Sequence, residues 1–550
     1  MRLFLFAALF LFSSAFSFTL HPLFSDQMVI QREVNVKIFG KGEDGEEVTV
    51  EFAGQKGTAK AAGGKWLVVL KPVKVGGPYT IKISSKDKMV ELKDVLVGDV
   101  WVCGGQSNME TQLGYYMTSR DGAYVDFVKD YLTYSNDMIR LAIVRRTIQE
   151  DRIEEPNLAG TGGSNWHVCE SNWARNFSAT GYYFGKRLQE AVGIPIGLIA
   201  STVGGTPAES WVPKEMLQAK PLYAGILSNY QLALERYPKA YEDSVKQLSD
   251  WSTKKARNVP PLPAAPRPPM SATHYQRPNG LFNGMIAPIV DFPVKGFIWY
   301  QGEANAGSYD SAQIYKELMK DLILNWRKEW NAPNAPFYQV ELAAYTSVVA
   351  APTEQTWPYL REAQRAAAQN AGNAWTANII DTGIEDDIHP PHKHESGERL
   401  AELAKANVYG LKDEWRGPVF SGIKIDGPKA VISFSHAWSG LVVKDFTVGL
   451  KHRLASSELR GFAVCGEDEV FKWAKAVIRG QTVEVTHPDG KKIVAVRYAW
   501  QNFPLANLFN RANYPAYPFR TDDWNPNRPP LEVRLAANGR TNLAFQKPVK

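Results

Sequence analysis

The residues 95–110, VLVGDVWVCGGQSNME, constrain the fold more than any other stretch of the chain. An apolar run rich in β-branched residues ends at Gly104 and Gly105, which reads as a buried strand delivered into a tight turn of the kind glycine permits. Ser107 then stands at the mouth of a sheet. A serine hydroxyl is a weak nucleophile until a positioned base takes its proton, so chemistry there requires a histidine and oxyanion donors from elsewhere in the chain. Alone, Gly-Gly-x-Ser after a strand is a common turn, and its meaning depends on its company.

A chain of 550 residues exceeds what one hydrophobic core serves, and about two to four domains are expected. With 44% apolar and 22% charged residues it has the composition of an ordinary globular protein. A net charge of +6, with no Lys/Arg run, points to neither nucleic acid nor an anionic membrane as a partner. Residues 1–18, MRLFLFAALFLFSSAFSF, carry Arg2, an apolar stretch and then Ala15 and Ser17 as a peptidase site. This is the pattern of a secretory signal too short to span a bilayer, so export to the periplasm or beyond is expected, with no membrane span. The 3 cysteines, Cys103, Cys169 and Cys465, are too few for a disulfide framework. One pair is free to bond, while Cys103 reads as a small core residue of its strand.

From 19 to 94, short strands such as NVKIFG, EEVTVEFAG, KWLVVL and YTIKISS alternate with glycine-rich turns, the texture of a small β-sandwich. From 95 to 415, apolar strands alternate with helices: LVGDVWVCG, IGLIASTVG, VKGFIWYQG, FYQVELA and TANIIDTG are strand candidates. Tyr315, Leu318, Met319, Leu322, Trp326 and Trp330 recur at helical spacing, as Leu400, Leu403 and Val408 do more loosely. Such alternation predicts a largely parallel sheet covered on both faces, with ligands beyond the carboxyl ends of its strands. Residues 214–269 read as a polar excursion ending in the proline-rich NVPPLPAAPRPP, either a surface linker or a substrate-facing lid. From 416 to 550 strands return, closing on NFPLANLFNRANYPAYPFRTDDW, a run expected to pack back on a neighbouring domain. Both β units are expected to act mainly as supports, with carbohydrate binding a lesser alternative.

Three further loops carry chemistry. TVGGTPAESW holds Gly204 and Gly205, WYQGEANAG holds Gln301 and Glu303, and DTGIEDDIHPPHKHESGERLA holds Asp386, Asp387 and His389. A serine, a glycine turn, an amide and an Asp/His pair, each just past a strand, are the parts acyl transfer needs. The G-x-S-x-G elbow of the α/β-hydrolases is missing, because position 109 is Met.

On GGQSNME, GGTPAESW, LFNGMIAPI, WYQGEAN, DIHP with its following GERLA, and FRTDDW, the chain resembles the GDSL-like or SGNH hydrolases, and more closely the sialate O-acetylesterase family of carbohydrate esterases. The resemblance covers nearly the whole chain after residue 18. It implies an SGNH-type three-layer α/β/α catalytic domain flanked by two β-sandwich-like domains. It also implies Ser107 as nucleophile, His389 as base, and an oxyanion hole from the Ser107 and Gly205 amides and the Gln301 carboxamide. Asp387 belongs to the family-like DIHP string and is the expected orienting acid. Asp386, at the three-residue spacing usual in the wider group, and a main-chain carbonyl remain alternatives. No metal or cofactor is expected, since His392 and His394 read as histidines at a helix start without a third ligand in view. Glu303 is expected to tie loops together, and His274 has no role. Asn176 opens a glycosylation sequon.

With export expected from residues 1–18, the resemblance implies a serine esterase removing O-acetyl groups from a sugar, 9-O-acetylated sialic acid first and acetylxylan or another acetylated polysaccharide second. An inactive carbohydrate-binding protein is the alternative from another class, disfavoured because Ser107, Gln301 and His389 are all present. Oligomeric state is not legible.

Overall fold

The computed structural model describes residues 18–86, 88–117, 133–160, 163–256, 265–411, 413–449, 451–529 and 531–534. The signal segment expected at 1–18 lies outside the described residues except for Phe18, and so do residues 257–264 of the proline-rich arm.

One strand organises the molecule. Lys88–Gly105 runs for 18 residues, and its second half is the middle of a sheet ordered His167–Glu170, Ser135–Val144, Ile196–Thr202, Lys88–Gly105, Gly296–Tyr300, Phe337–Val340, Ala374–Ala377. Every neighbouring pair is parallel except the first, which is antiparallel. The first of these strands in the chain lies between later ones that wind away on either side, the switch point at which open α/β sheets bind ligands. Register then places the loops: Gly105 is opposite Thr202 on one side and Tyr300 on the other, so the chain leaves all three strands at one level.

The side chains of the central strand alternate between two faces. Trp101 and Cys103 join a core with Phe184, Leu188, Leu400 and Leu403, from helices Ala179–Val192 and Lys393–Asn407. Val102 joins a core with Trp299, Leu318, Trp326 and Leu360, from helices Tyr309–Glu329 and Trp357–Ala371 on the other side. Burying each such side chain contributes roughly 1.5–3 kcal/mol. The helix expected around Tyr315 forms as its spacing predicts, and starts where the Ser308 hydroxyl accepts the Ser311 amide at 3.0 Å.

The boundary expected between residues 94 and 95 falls inside the long strand. Its first half pairs antiparallel with Gly76–Ser85 and parallel with Val29–Gln31, and the N-terminal core residues Trp66, Val50 and Ile81 are continuous with Val100 and Trp299. No proline or glycine pair interrupts 88–102, so nothing in the backbone ends the ladder where the composition changes.

Among the described residues the C-terminal strands form two four-stranded and two two-stranded antiparallel sheets, over a core that includes Ile432, Phe462, Val485 and Tyr498. The closing run packs back as its composition predicts: Tyr517 Oη donates to Thr376 O at 2.5 Å, and the Asn378 carboxamide donates to Pro515 O and Ala516 O at 3.1 Å. The excursion after Lys214 is mostly one helix, Ala224–Ala256, with none of its residues buried. All three cysteines are buried and free. Among the described residues no helix is long and apolar enough to cross a membrane.

Candidate active site

Ser107 opens the short helix Ser107–Glu110 directly after the central strand. The turn needs its glycines for approach: a Cβ at Gly105, whose φ is +139°, would lie 2.2 Å from the Tyr300 carbonyl oxygen. Helix and sheet are thereby held close enough to present the hydroxyl at the sheet edge, where it is half-buried.

His389 reaches it from a loop 282 residues away in sequence. Its Nε2 lies 2.8 Å from Ser107 Oγ, hydrogen-bonding distance for a general base and its nucleophile. Burial and the charge of Lys393 lower the pKa of His389 below the ordinary histidine value, against the opposing pull of Asp387. The imidazole is therefore neutral at pH 7 and able to accept a proton.

Asp387 meets the base chiefly through the backbone. Its Oδ1 accepts the His389 amide at 2.8 Å and stands 3.8 Å from Nδ1, beyond a hydrogen bond to the ring. Asp386, the alternative, is exposed.

The expected oxyanion donors differ in whether their hydrogens are already engaged. Among the described residues, the amides of Ser107 and Gly205 have no acceptor. Gly205 has φ +72°, the left-handed conformation natural to glycine, and its loop is braced from both sides. Glu110 Oε2 accepts the Gly204 amide at 2.7 Å, and Gln276 Nε2 donates to Gly205 O at 2.5 Å.

Gln301 differs from the two amides in having partners already. It lies on the expected loop but is fully buried, and its Nε2 donates to Thr206 O at 3.2 Å and Asn305 Oδ1 at 2.7 Å. Asn305 is itself oriented by the Ala208 amide and by Glu209, so the network determines which way the Gln301 amide points. Both of its hydrogens are engaged, and these bonds join the 205–209 and 301–305 loops.

Glu303 ties loops as expected, accepting Asn108 Nδ2 at 2.5 Å, and burial raises its pKa. His274 is buried, accepts the Gln276 amide at 3.2 Å and stacks on Tyr275. His392 and His394 do have a third donor nearby, contrary to expectation: with Glu395 they place one ligand atom each within 4.8 Å of one another. Arg399 and Lys444 already stand near that carboxylate, and a cation would enter against them. Sequence reasoning missed Asn108 and Lys393, whose only signal was their position beside Ser107 and inside PPHKHE.

The arrangement can run acyl transfer through a serine ester, and the comparisons with known proteins give the family. Residues 97–246 and 270–406 match the family model described as carbohydrate esterase, sialic acid-specific acetylesterase. Sialate O-acetylesterase of Mus musculus is 26% identical over 90% of this chain and 91% of its own length, and that of Homo sapiens is 26% identical over 90% and 89%. The crystal structure of a carbohydrate acetylesterase from Xanthomonas citri is 32% identical, covers 92% of this chain and 100% of its own, and superposes with a TM-score of 0.75. The chain thus belongs to the sialic acid-specific acetylesterase family of carbohydrate esterases, and is a carboxylic ester hydrolase acting on O-acetyl esters of carbohydrates.

Proposed function

We propose that Ser107 and His389 carry the hydrolysis and that the substrate is a 9-O-acetylated sialic acid. The single observation that supports this reading most is the 2.8 Å contact between His389 Nε2 and Ser107 Oγ at the sheet edge. Ser107 Oγ attacks the acetyl carbonyl while His389 Nε2 takes its proton, and the oxyanion is held by the Ser107 and Gly205 amides. The bond to the sugar oxygen then breaks as His389 returns the proton to it, leaving acetyl-Ser107. Water, deprotonated by His389, releases acetate and restores the serine. Asp387 serves by fixing the His389 main chain.

A second substrate reading is an acetylated polysaccharide such as acetylated xylan, since the Xanthomonas citri relative, at 32% identity, is described only as a carbohydrate acetylesterase and does not single out sialic acid. Acetate release from 9-O-acetyl sialic acid measured beside release from acetylated xylan separates the two. The sialate reading predicts the larger kcat/KM on the former, and the reverse order rejects it. Ser107→Ala must abolish acetate release from both.

The same reading takes the central unit as an SGNH-type three-layer domain over 95–415, with β modules at 19–94 and 416–550. It also takes the protein as exported, on the signal-like pattern of residues 1–18.

A further inference from the structure

The mechanism above leaves unused a buried cation next to its two reacting groups. Lys393 is 1% exposed at the start of the Lys393–Asn407 helix. Its Nζ donates to Asn108 Oδ1 at 2.6 Å and to Pro390 O at 2.5 Å. Asn108, also 1% exposed, is the residue after the nucleophile, and its Nδ2 donates to Ile388 O at 3.1 Å and to Glu303 Oε1 at 2.5 Å. The carbonyls on either side of His389 are therefore both gripped from one point beside Ser107: Ile388 O by Asn108 and Pro390 O by Lys393. Asp387 holds the remaining handle, the His389 amide.

We propose that Lys393 is a positioning residue for the reaction, its ammonium clamping the loop that carries the base to the helix that carries the nucleophile. Burying an ammonium is costly unless it is hydrogen-bonded and paired, so an apolar side chain of similar length would occupy this position at less cost if packing were the only requirement. The acceptors on Asn108 and Pro390, with the Glu303 and Asp387 carboxylates nearby, make the lysine tolerable there. Its charge has a second effect. A cation beside the imidazole opposes protonation of His389 and keeps the base in its accepting form. Burial draws Lys393 itself down to about 7, so this support weakens above neutrality, where His389 no longer needs it.

The clamp rests on the reading of Ser107 and His389 as the reacting pair, and the test keeps the two apart. Three variants of the full chain, Lys393→Met, Lys393→Arg and Asn108→Ala, are compared on 4-nitrophenyl acetate across the pH range, with thermal melting as the check on folding. Lys393→Met is expected to lower kcat by about 30-fold or more with KM little changed, since small misplacements of reacting groups cost that order. Its acid limb of kcat/KM moves to higher pH, because the cation opposing the imidazolium is gone. Lys393→Arg keeps the limb low. Asn108→Ala lowers kcat without raising the limb, because the cation remains. A folded Lys393→Met with kcat within about threefold of the parent, or with an unmoved limb, overturns the proposal. If that variant does not fold, a folded Asn108→Ala with parental kcat overturns it instead. Activity surviving in Ser107→Ala rejects the assignment of the reacting pair and the clamp with it; activity lost there but kept in Lys393→Met rejects the clamp alone.

Discussion

The carboxylate of Asp387 accepts the main-chain amide of His389 at 2.8 Å while standing 3.8 Å from its Nδ1. The acid fixes where the ring is hung more than which tautomer it adopts. Asn at this position can still accept the amide through its Oδ1, losing only the charge. Asp387→Asn is therefore expected to lower kcat by about 10- to 100-fold, well short of the ~10⁴ lost when a ring-orienting triad acid is replaced. Asp387→Ala, which frees the amide as well, costs more, and Asp386→Asn stays close to the parent because the His389 amide is held by Asp387 and not by Asp386. Steady-state kinetics of the three variants on one acetyl ester decide it: a loss for Asp387→Asn as deep as that for Ser107→Ala would restore the carboxylate to the ring.

The pH dependence follows from the state of His389. Only the neutral imidazole accepts the Ser107 proton, so kcat/KM rises with pH as His389 loses its own proton. Because burial, reinforced by Lys393, holds its pKa below the ordinary 6.5, the midpoint of the acid limb is expected below 6.5. A profile of kcat/KM from about pH 4 to 9 on a non-ionising acetyl ester checks this, since that ratio reports the free enzyme. A midpoint above 6.5 would mean that Asp387 outweighs burial and Lys393 together.

Ser107 and His389 were legible because each announces itself locally, one by a strand running into two glycines and the other by an acid two residues before a histidine. Gln301 was legible as a member of the right loop, yet its bond was not. Carboxamide orientation is decided by partners such as Thr206 O and Asn305 that only folding assembles. The meaning of Asn108 is non-local for the same reason, because the carbonyl it grips at Ile388 lies 280 residues further on. In the sheet, the strand Ser135–Val144 escaped notice because Asp137 and Arg140 interrupt its apolar run. Arg140 is nevertheless 2% exposed, its guanidinium paired with Asp94 at 2.7 and 3.1 Å. A change of composition near residue 94 was real, but composition does not break a hydrogen-bonded ladder.

Gln301 allows two roles to be told apart by which quantities move together. A free oxyanion donor, when removed, costs about 10² to 10³ in kcat with the fold intact. A loop-joining amide, when removed, orphans Thr206 O and unseats Asn305, so melting temperature and kcat fall together. Gln301→Ala is expected to behave in the second way, its buried site contributing about 1–3 kcal/mol to stability. Thermal unfolding measured beside kcat provides the check, and a large kcat loss at parental melting temperature would return Gln301 to the oxyanion hole.

Beside the Tyr517 and Asn378 bonds, the central sheet is joined to the C-terminal strands by Arg361, which is fully buried. Its guanidinium donates to Leu342 O at 2.8 Å and Ala343 O at 2.9 Å, just past a central strand, and to Gln501 O at 2.7 Å and Asn502 O at 2.8 Å from the C-terminal unit. A planar fork of donors satisfies all four carbonyls at once, which the single ammonium of lysine does not do. Arg361→Met would leave them buried without partners, each at about 1–3 kcal/mol. Relaxation and entering water reduce the sum, so a net loss of more than about 3 kcal/mol is expected, a large share of the ~5–15 kcal/mol that holds a domain together. Arg361→Lys should fall between. Chemical denaturation followed by tryptophan fluorescence measures both, and a midpoint for Arg361→Met that matches the parent would show that the four carbonyls find other partners and that Arg361 adds little to the joint.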